Sequence, residues 1–148
     1  MELKPNLGLL IGMTISHVWL GYGSALFLEL GMLTEGKKRK DDSIGNSKGE
    51  VTIIVDFDWR IEGCRSILGG CQDSRKRSIS LSRKLLQASV ISAQLVGRIP
   101  ELQLQLSNGF WVVTFSHEKG QPSWAILFNA LGLGSLGVER GKLKIDDR

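Results

Sequence analysis

The spacing of apolar and polar positions along this chain is dominated by period two. From residue 51 to 62 the odd positions Val51, Ile53, Val55, Phe57, Trp59 and Ile61 are apolar, and five of the six even positions, Thr52, Asp56, Asp58, Arg60 and Glu62, are polar. Successive side chains of a strand point to opposite faces, so this pattern predicts one long, half-buried strand. Leu102, Leu104 and Leu106 alternate with Gln103, Gln105 and Ser107, and Asn108-Gly109 follows at once. Asn-Gly is a strong hairpin signal, because a two-residue turn needs positive φ at both central positions. Residues 110–116 are then the returning strand, 118–122 another turn, and 123–128 a further strand. The succession describes a meander.

Sliding residues 9–31 onto 85–107 without a gap aligns eight identities: Leu9, Leu10, Ile15, Ser16, Gly21, Leu26, Leu28 and Leu30 meet Leu85, Leu86, Ile91, Ser92, Gly97, Leu102, Leu104 and Leu106. Roughly two would arise by chance from this composition. If the first half carries a longer loop at residues 34–49, Ile53-Ile54-Val55 and Phe57 fall on Trp111-Val112-Val113 and Phe115. The expected organisation is a single domain over 1–148 with pseudo-repeat halves at 7–63 and 83–128. A basic connector at 64–82, with room for a short strand, joins them, and a weakly ordered tail covers 130–148. Each half buries one face, so the two pack together. The predicted fold is mainly β: a duplicated antiparallel meander of about seven or eight strands forming a roll, barrel or sandwich, with little helix.

Composition agrees with this picture. Among 148 residues, 42% are hydrophobic and 23% charged, which suits a globular chain with a real core, and eighteen glycines against three prolines suit frequent turns. Residues 6–28 carry no full charge and precede Lys37, Lys38, Arg39 and Lys40, the outline of a membrane helix with a positive flank. Their glycines, Thr14, Ser16, Ser24, His17 and the turn-like Gly21-Tyr22-Gly23-Ser24 argue against insertion. A signal peptide fits no better, since Glu2 sits in the would-be basic region and no small-x-small site closes a compact apolar run. A cytoplasmic setting is expected. Cys64 and Cys71 lack the spacing of a zinc or thioredoxin-like motif. They are either two free thiols or, in an exported protein, a short-loop disulfide.

The net charge of +4 is unevenly placed. Lys37 to Lys40 form one basic cluster, and Arg75, Lys76, Arg77, Arg83 and Lys84 form another. Outside these nine residues, ten basic groups stand against fifteen acidic ones. The candidate phosphate-contacting residues are therefore Lys37, Lys38, Arg39, Lys40, Arg75, Lys76 and Arg77. No aromatic residue is interleaved with them to stack on bases, so solvated loops are the competing explanation.

Candidate chemistry is sparse. Asp56, Asp58 and Glu62 share a face of the long strand with Arg60 between them; such carboxylates hold a cation or act as an acid/base pair, or simply solvate an edge. His17 and His117 are the two histidines, and neither lies in a nucleophile motif. Asp56, Asp58, Arg60, Glu62, His17 and His117 make up the candidate functional surface. No catalytic residue, metal site or cofactor is assigned. The general form is that of a small bacterial-type β protein, with no motif that transfers a functional residue.

The sequence thus points to a non-enzymatic module that binds another protein, of the immunity or accessory-subunit kind, without a membrane contact and with homo-oligomerisation open. The alternatives are nucleic-acid binding through residues 37–40 and 75–84, and a hydrolase or metal-dependent enzyme built on Asp56, Asp58 or a histidine.

Overall fold

Leu26, Leu28 and Leu30, Val51, Ile53 and Val55, and Leu102, Leu104 and Leu106 are all fully buried. Each set is the inward row of a strand, and together they line the space between two sheets. The computed structural model describes residues 4–56, 58–117, 123–130 and 132–146. The chain runs through β1 (Ile15–Leu20), β2 (Leu26–Leu30), β3 (Val51–Val55), β4 (Trp59–Glu62), β5 (Ile67–Gly70), α1 (Arg75–Arg83), β6 (Val90–Val96), β7 (Glu101–Leu106), β8 (Trp111–Thr114), β9 (Trp124–Phe128), β10 (Gly134–Glu139) and β11 (Lys142–Asp146). One sheet has the order β1-β2-β3-β9-β10-β11 and the other β5-β4-β8-β7-β6. All pairs are antiparallel, and neither sheet closes on itself, so the architecture is a sandwich of open sheets.

The long strand expected at 51–62 is two strands in different sheets. β3 pairs with β2 and β9, whereas β4 pairs with β8 and β5. Phe57 lies outside the described residues. The alternation nevertheless holds on both sides of the crossing, because the shared core lies between the sheets and Val51, Ile53, Val55, Trp59 and Ile61 all point into it. Within the expected tail, residues 134–139 and 142–146 form strands. Leu136 and Val138 bury in the core and recruit residues 134–139 as β10, onto which β11 folds as a hairpin. The expected turn at 118–122 lies outside the described residues. At the Asn-Gly hairpin only Gly109 has positive φ, and Leu106 N donates to Phe110 O while Gly109 N donates to Leu106 O. The connection is thus a three-residue loop ending in a left-handed glycine, not the two-residue turn.

β1-β2-β3 lie in one sheet and β4-β5 cross to the other; β6-β7-β8 lie in the second sheet and β9-β10 cross back. The β1–β2 and β6–β7 hairpins have the same register, with a bulge between Ile15 and His17 in one and between Val90 and Ser92 in the other. The offset is 75 between β1 and β6 and 76 between β2 and β7, so the gapless alignment slips by one residue on the first strand. At the Thr14–Ser89 bridge the two hairpins meet through reciprocal backbone bonds. Ile15 N donates to Ala88 O at 2.8 Å and Val90 N to Met13 O at 2.9 Å. Gly12 N donates to Val90 O and Gln87 N to Ile15 O, both at 2.8 Å. Trp59 and Trp124 stand at matching places after the crossings. Both are buried, and their indole N–H groups donate to Ser24 O at 2.6 Å and Pro100 O at 3.0 Å.

The two sides of the sandwich are finished differently. The connector forms β5 and then α1, which Ser74 caps by accepting from Arg77 N at 3.2 Å. α1 packs against β1 and β5, the edge strands on one side. It buries Ser78 and Ser82, and Ser78 Oγ donates to Gly70 O at 2.9 Å. β6 and β11 edge the other side. There the β10–β11 turn meets the β6–β7 turn, where a Cβ on Gly141 would lie 3.7 Å from Ile99 Cγ2. The six-stranded sheet has one strand more than its five-stranded partner and ends in β11. The 3-10 turn Leu7–Leu10 packs against β6 but leaves Ile91 and Val96 about half exposed.

Two glycines allow the outer strands to lie close to the crossings. A Cβ on Gly70 would overlap the Trp59 carbonyl, whereas one on the corresponding Gly137 would sit 3.1 Å from Trp124 O. Gly70→Ala should therefore lower stability by about 2–3 kcal/mol and Gly137→Ala by clearly less. Urea unfolding of the two variants, followed by tryptophan fluorescence, measures the difference.

Candidate functional site

The crossing from β3 to β4 brings together residues far apart in sequence. Asp58 N donates to Asp56 O at 2.7 Å, which tightens the bend, and Phe115 N donates to Asp58 O at 3.0 Å, which fixes the end of β8 beside it. His117, three residues after β8, places Nε2 2.8 Å from Asp58 Oδ2. Phe115 stands edge-on to the His117 ring, with centroids 6.2 Å apart, and is itself largely exposed. On the other side of Asp58 lies Cys71, whose Sγ is 4.0 Å from Asp58 Oδ1 and accepts from Trp59 N at 3.4 Å. Burial, together with the nearby Asp58 carboxylate, pushes the Cys71 thiol above its ordinary value.

This corner is an Asp–His pair with a thiol on the wrong side. In a nucleophilic triad the imidazole stands between carboxylate and nucleophile; here Asp58 is the central group. Among the described residues, no nucleophile hydrogen-bonds the second nitrogen of His117, and no group of three His, Cys, Asp or Glu side chains converges as a metal site. The arrangement ties the end of β8 to the crossing and holds an imidazole half-exposed beside Phe115.

The other candidate residues disperse. Arg60 and Glu62 pair with each other at 2.6 Å on the outer face of β4. Asp56 lies at the end of β3, its amide donating to Ser123 O at 2.9 Å. His17 sits on the outer face of the other sheet, 3.0 Å from Asn46 Oδ1. The acidic positions therefore do not form one face, because the chain changes sheets between Asp56 and Asp58.

The basic residues separate as well. Residues 34–48 form an exposed two-stranded arm, bridged at Thr34–Lys48 and Lys38–Ile44, with Arg39 N donating to Ser43 O near its tip. Lys37, Lys38, Arg39 and Lys40 are exposed on it, and Lys38 pairs with Asp42 at 3.4 Å. Arg75, also exposed, instead reaches over to the β1–β2 turn. Its guanidinium donates to Leu20 O at 3.0 Å and to Gly21 O and Gly23 O at 3.2 Å, closing the β1–β2 turn. Lys76 and Arg77 stay exposed on α1.

Sequence reasoning missed Glu29, an acidic residue with only 2% of its surface exposed. Its carboxylate accepts from Trp19 Nε1 at 2.9 Å, from Gly49 N at 3.0 Å and from Thr52 Oγ1. Asn129 Nδ2 completes the network by donating to Gly49 O and Thr52 Oγ1. Three converging donors satisfy a buried carboxylate without a cation and anchor the base of the arm to β1, β2 and β3. Glu29 occupies the polar phase of β2, and that phase was the one available signal.

Comparison of the chain with protein-family models, with curated proteins and with solved structures gives no match in any of the three.

Cys64 lies in the β4–β5 turn and Cys71 beyond the opposite end of that hairpin, where its amide donates to Trp59 O. Five residues of extended strand separate the two levels by about 16 Å, against a reach of under about 7 Å between disulfide-bonded Cα atoms. Both cysteines should therefore be found as free thiols. The exposed Cys64 should react with a disulfide reagent at once, and Cys71 only slowly at neutral pH. Because the folded state keeps Cys71 protonated longer than the unfolded chain does, the associated stability is present below the ordinary thiol value of 9.0 and declines as pH rises above it. Timed labelling of the wild type and of Cys64→Ser across pH 7–10 separates the two thiols. Glu29→Gln should cost about 1–3 kcal/mol, read by urea unfolding, since its amide turns a donor toward groups that already donate.

Proposed function

We propose that this chain is a protein-binding module, of the immunity or accessory-subunit kind, which docks its partner on the open side of the sandwich. The supporting observation is the exposed inward row of β11. Leu143 and Ile145 pair across from Val138 and Leu136, which are buried, so they face the core side of the sheet. They are nevertheless 43% and 49% exposed. Ile99, half exposed at the adjoining turn, extends the same apolar strip. Inward-facing apolar side chains left uncovered are a feature of contact surfaces.

The same reading takes the chain as a duplicated unit whose halves, 7–63 and 83–128, extend through β5 and β10 and diverge after them. The first half continues into α1 and closes its side; the second continues into β11 and leaves its side open. Binding is preferred to catalysis because the Asp58–His117 pair has no aligned nucleophile among the described residues. Nucleic-acid binding is a weaker alternative, since Arg75 is committed to backbone carbonyls and the arm presents its cations without aromatic neighbours on either side.

The reading requires a partner that depends on this surface. Affinity capture from the source cells should recover the same protein with the wild type and with His117→Ala, and lose it with the Leu143→Glu/Ile145→Glu double variant. Equal recovery by all three forms would remove the open side as the docking surface.

A further inference from the structure

α1 presents to solvent a face that the fold does not use. Lys76, Arg77, Ser80, Arg83 and Lys84 are all exposed. At about 3.6 residues per turn they fall on one side of the helix, opposite Ser78 and Ser82, which are buried. No acidic residue occurs between Asp73 and Glu101. Among the described residues, these four cations form no ion pair, whereas Lys38, Arg60 and Lys144 each have a carboxylate partner. One side of a nine-residue helix therefore carries four uncompensated positive charges.

Part of this face walls a recess of about 180 Å³ between α1 and β5, lined by Leu68, Asp73, Arg77, Ser80, Leu81 and Lys84. Leu68 and Leu81 are partly buried against the core and supply its apolar part. Arg77, Ser80 and Lys84 supply three donor groups whose side chains have no partner among the described residues. Asp73 is the one carboxylate on the wall, and its Oδ2 already accepts from Gly70 N at 3.0 Å. The walls are fixed before any ligand arrives. Ser74 Oγ accepts from Arg77 N at 3.2 Å, and Ser78 Oγ donates to Gly70 O at 2.9 Å, which holds the helix against β5.

We infer that this recess binds a phosphate monoester, with the phosphate held by Arg77, Ser80 and Lys84 and the carbon side of the ester against Leu68 and Leu81. Charge and donor count select that class. A monoester near neutral pH carries about two negative charges, which Arg77 and Lys84 match; a carboxylate or a phosphodiester leaves one of them uncompensated. Its three free oxygens accept from a guanidinium fork, a hydroxyl and an ammonium together, whereas a diester has only two. Lys76 and Arg83, on the same face outside the recess, raise the potential at its mouth. The site lies on the side that α1 closes, so it is independent of the docking surface at Leu143 and Ile145.

Titration calorimetry of the full chain at low salt tests the site with phenyl phosphate, phenyl sulfate, a phosphoserine tripeptide and a single-stranded oligonucleotide. Phenyl phosphate should bind about tenfold more tightly than phenyl sulfate, which has the same outline and one charge fewer. Arg77→Gln and Lys84→Gln should each weaken phenyl phosphate about tenfold, and Arg83→Gln, which removes the same charge outside the recess, by less than about threefold. The phosphate–sulfate comparison uses only wild-type protein, so it stands even if a variant perturbs folding. Tighter binding of the tripeptide assigns the ester to a phosphorylated side chain and tighter binding of phenyl phosphate to a small molecule; both support the inference. Equal affinity for phosphate and sulfate esters overturns it, as does no binding of either monoester. Equal losses in all three variants show diffuse charge rather than a recess and overturn it too. An oligonucleotide that binds more tightly than both monoesters assigns the face to nucleic acid and overturns the inference, while the affinity capture decides the protein-binding reading separately.

Discussion

Two sheets can share one core only if a chain crossing between them keeps its buried face inward, and the rest of this structure depends on that constraint. Val51, Ile53 and Val55 point into the core from one sheet, and Trp59 and Ile61 point into it from the other, with parity unbroken across the bend. The second crossing delivers Trp124, Ile126 and Phe128 in the same way. Each crossing is secured by a buried indole whose N–H would otherwise go unsatisfied and which finds the carbonyl of a β-turn, Ser24 for Trp59 and Pro100 for Trp124. The large apolar ring fills the space between the sheets, and its single donor fixes where the neighbouring hairpin turns.

The crossings also set the edges. Because β4-β5 and β9-β10 exchange sheets, each sheet ends in the first strand of one unit and the last strands of the other. Sheet edges must be covered, charged or paired. α1 meets that need on one side with few apolar residues. It buries Ser78 and Ser82 against the strands and uses Arg75 to cap three carbonyls of the β1–β2 turn. Among the described residues, the opposite side is finished by the 3-10 turn packed on β6 and by the edge strand β11, and Ile91, Val96, Ile99, Leu143 and Ile145 are exposed on β6, β11 and the β6–β7 turn. The difference between a closed and an open side therefore follows from what succeeds β5 and β10, a capped helix in one case and a hairpin in the other.

The candidate chemistry was legible one residue at a time but not as a site. Asp58 and His117 stood out separately, and nothing in their spacing of 59 positions shows that a bend and the end of β8 bring them to 2.8 Å. Cys71 joins them through the β4–β5 hairpin, and that hairpin also separates it from Cys64. Glu29 was hidden because a carboxylate in the polar phase of a strand reads as solvated; its burial comes from the arm base at Gly49 and from Asn129, a residue 100 positions away. Arg75 looked like a free cation for the corresponding reason, since the carbonyls that hold it belong to a turn more than fifty residues earlier.

Local patterning by itself determined the mainly β character, the inward rows of nearly every strand, and the similarity of the two leucine-rich hairpins. Those features depend on side-chain alternation along one strand and its neighbour, which a chain records directly. Tertiary structure decided where alternation passes from one sheet to the other. It also decided that the glycine-rich tail pairs as β10 and β11 and that one side of the sandwich stays open. A strand that continues straight and a strand that crosses between sheets have the same period, so the sequence pattern cannot tell them apart. The choice is made by the partner strands, β9 for residues 51–55 and β8 for residues 59–62, which arrive from elsewhere in the chain.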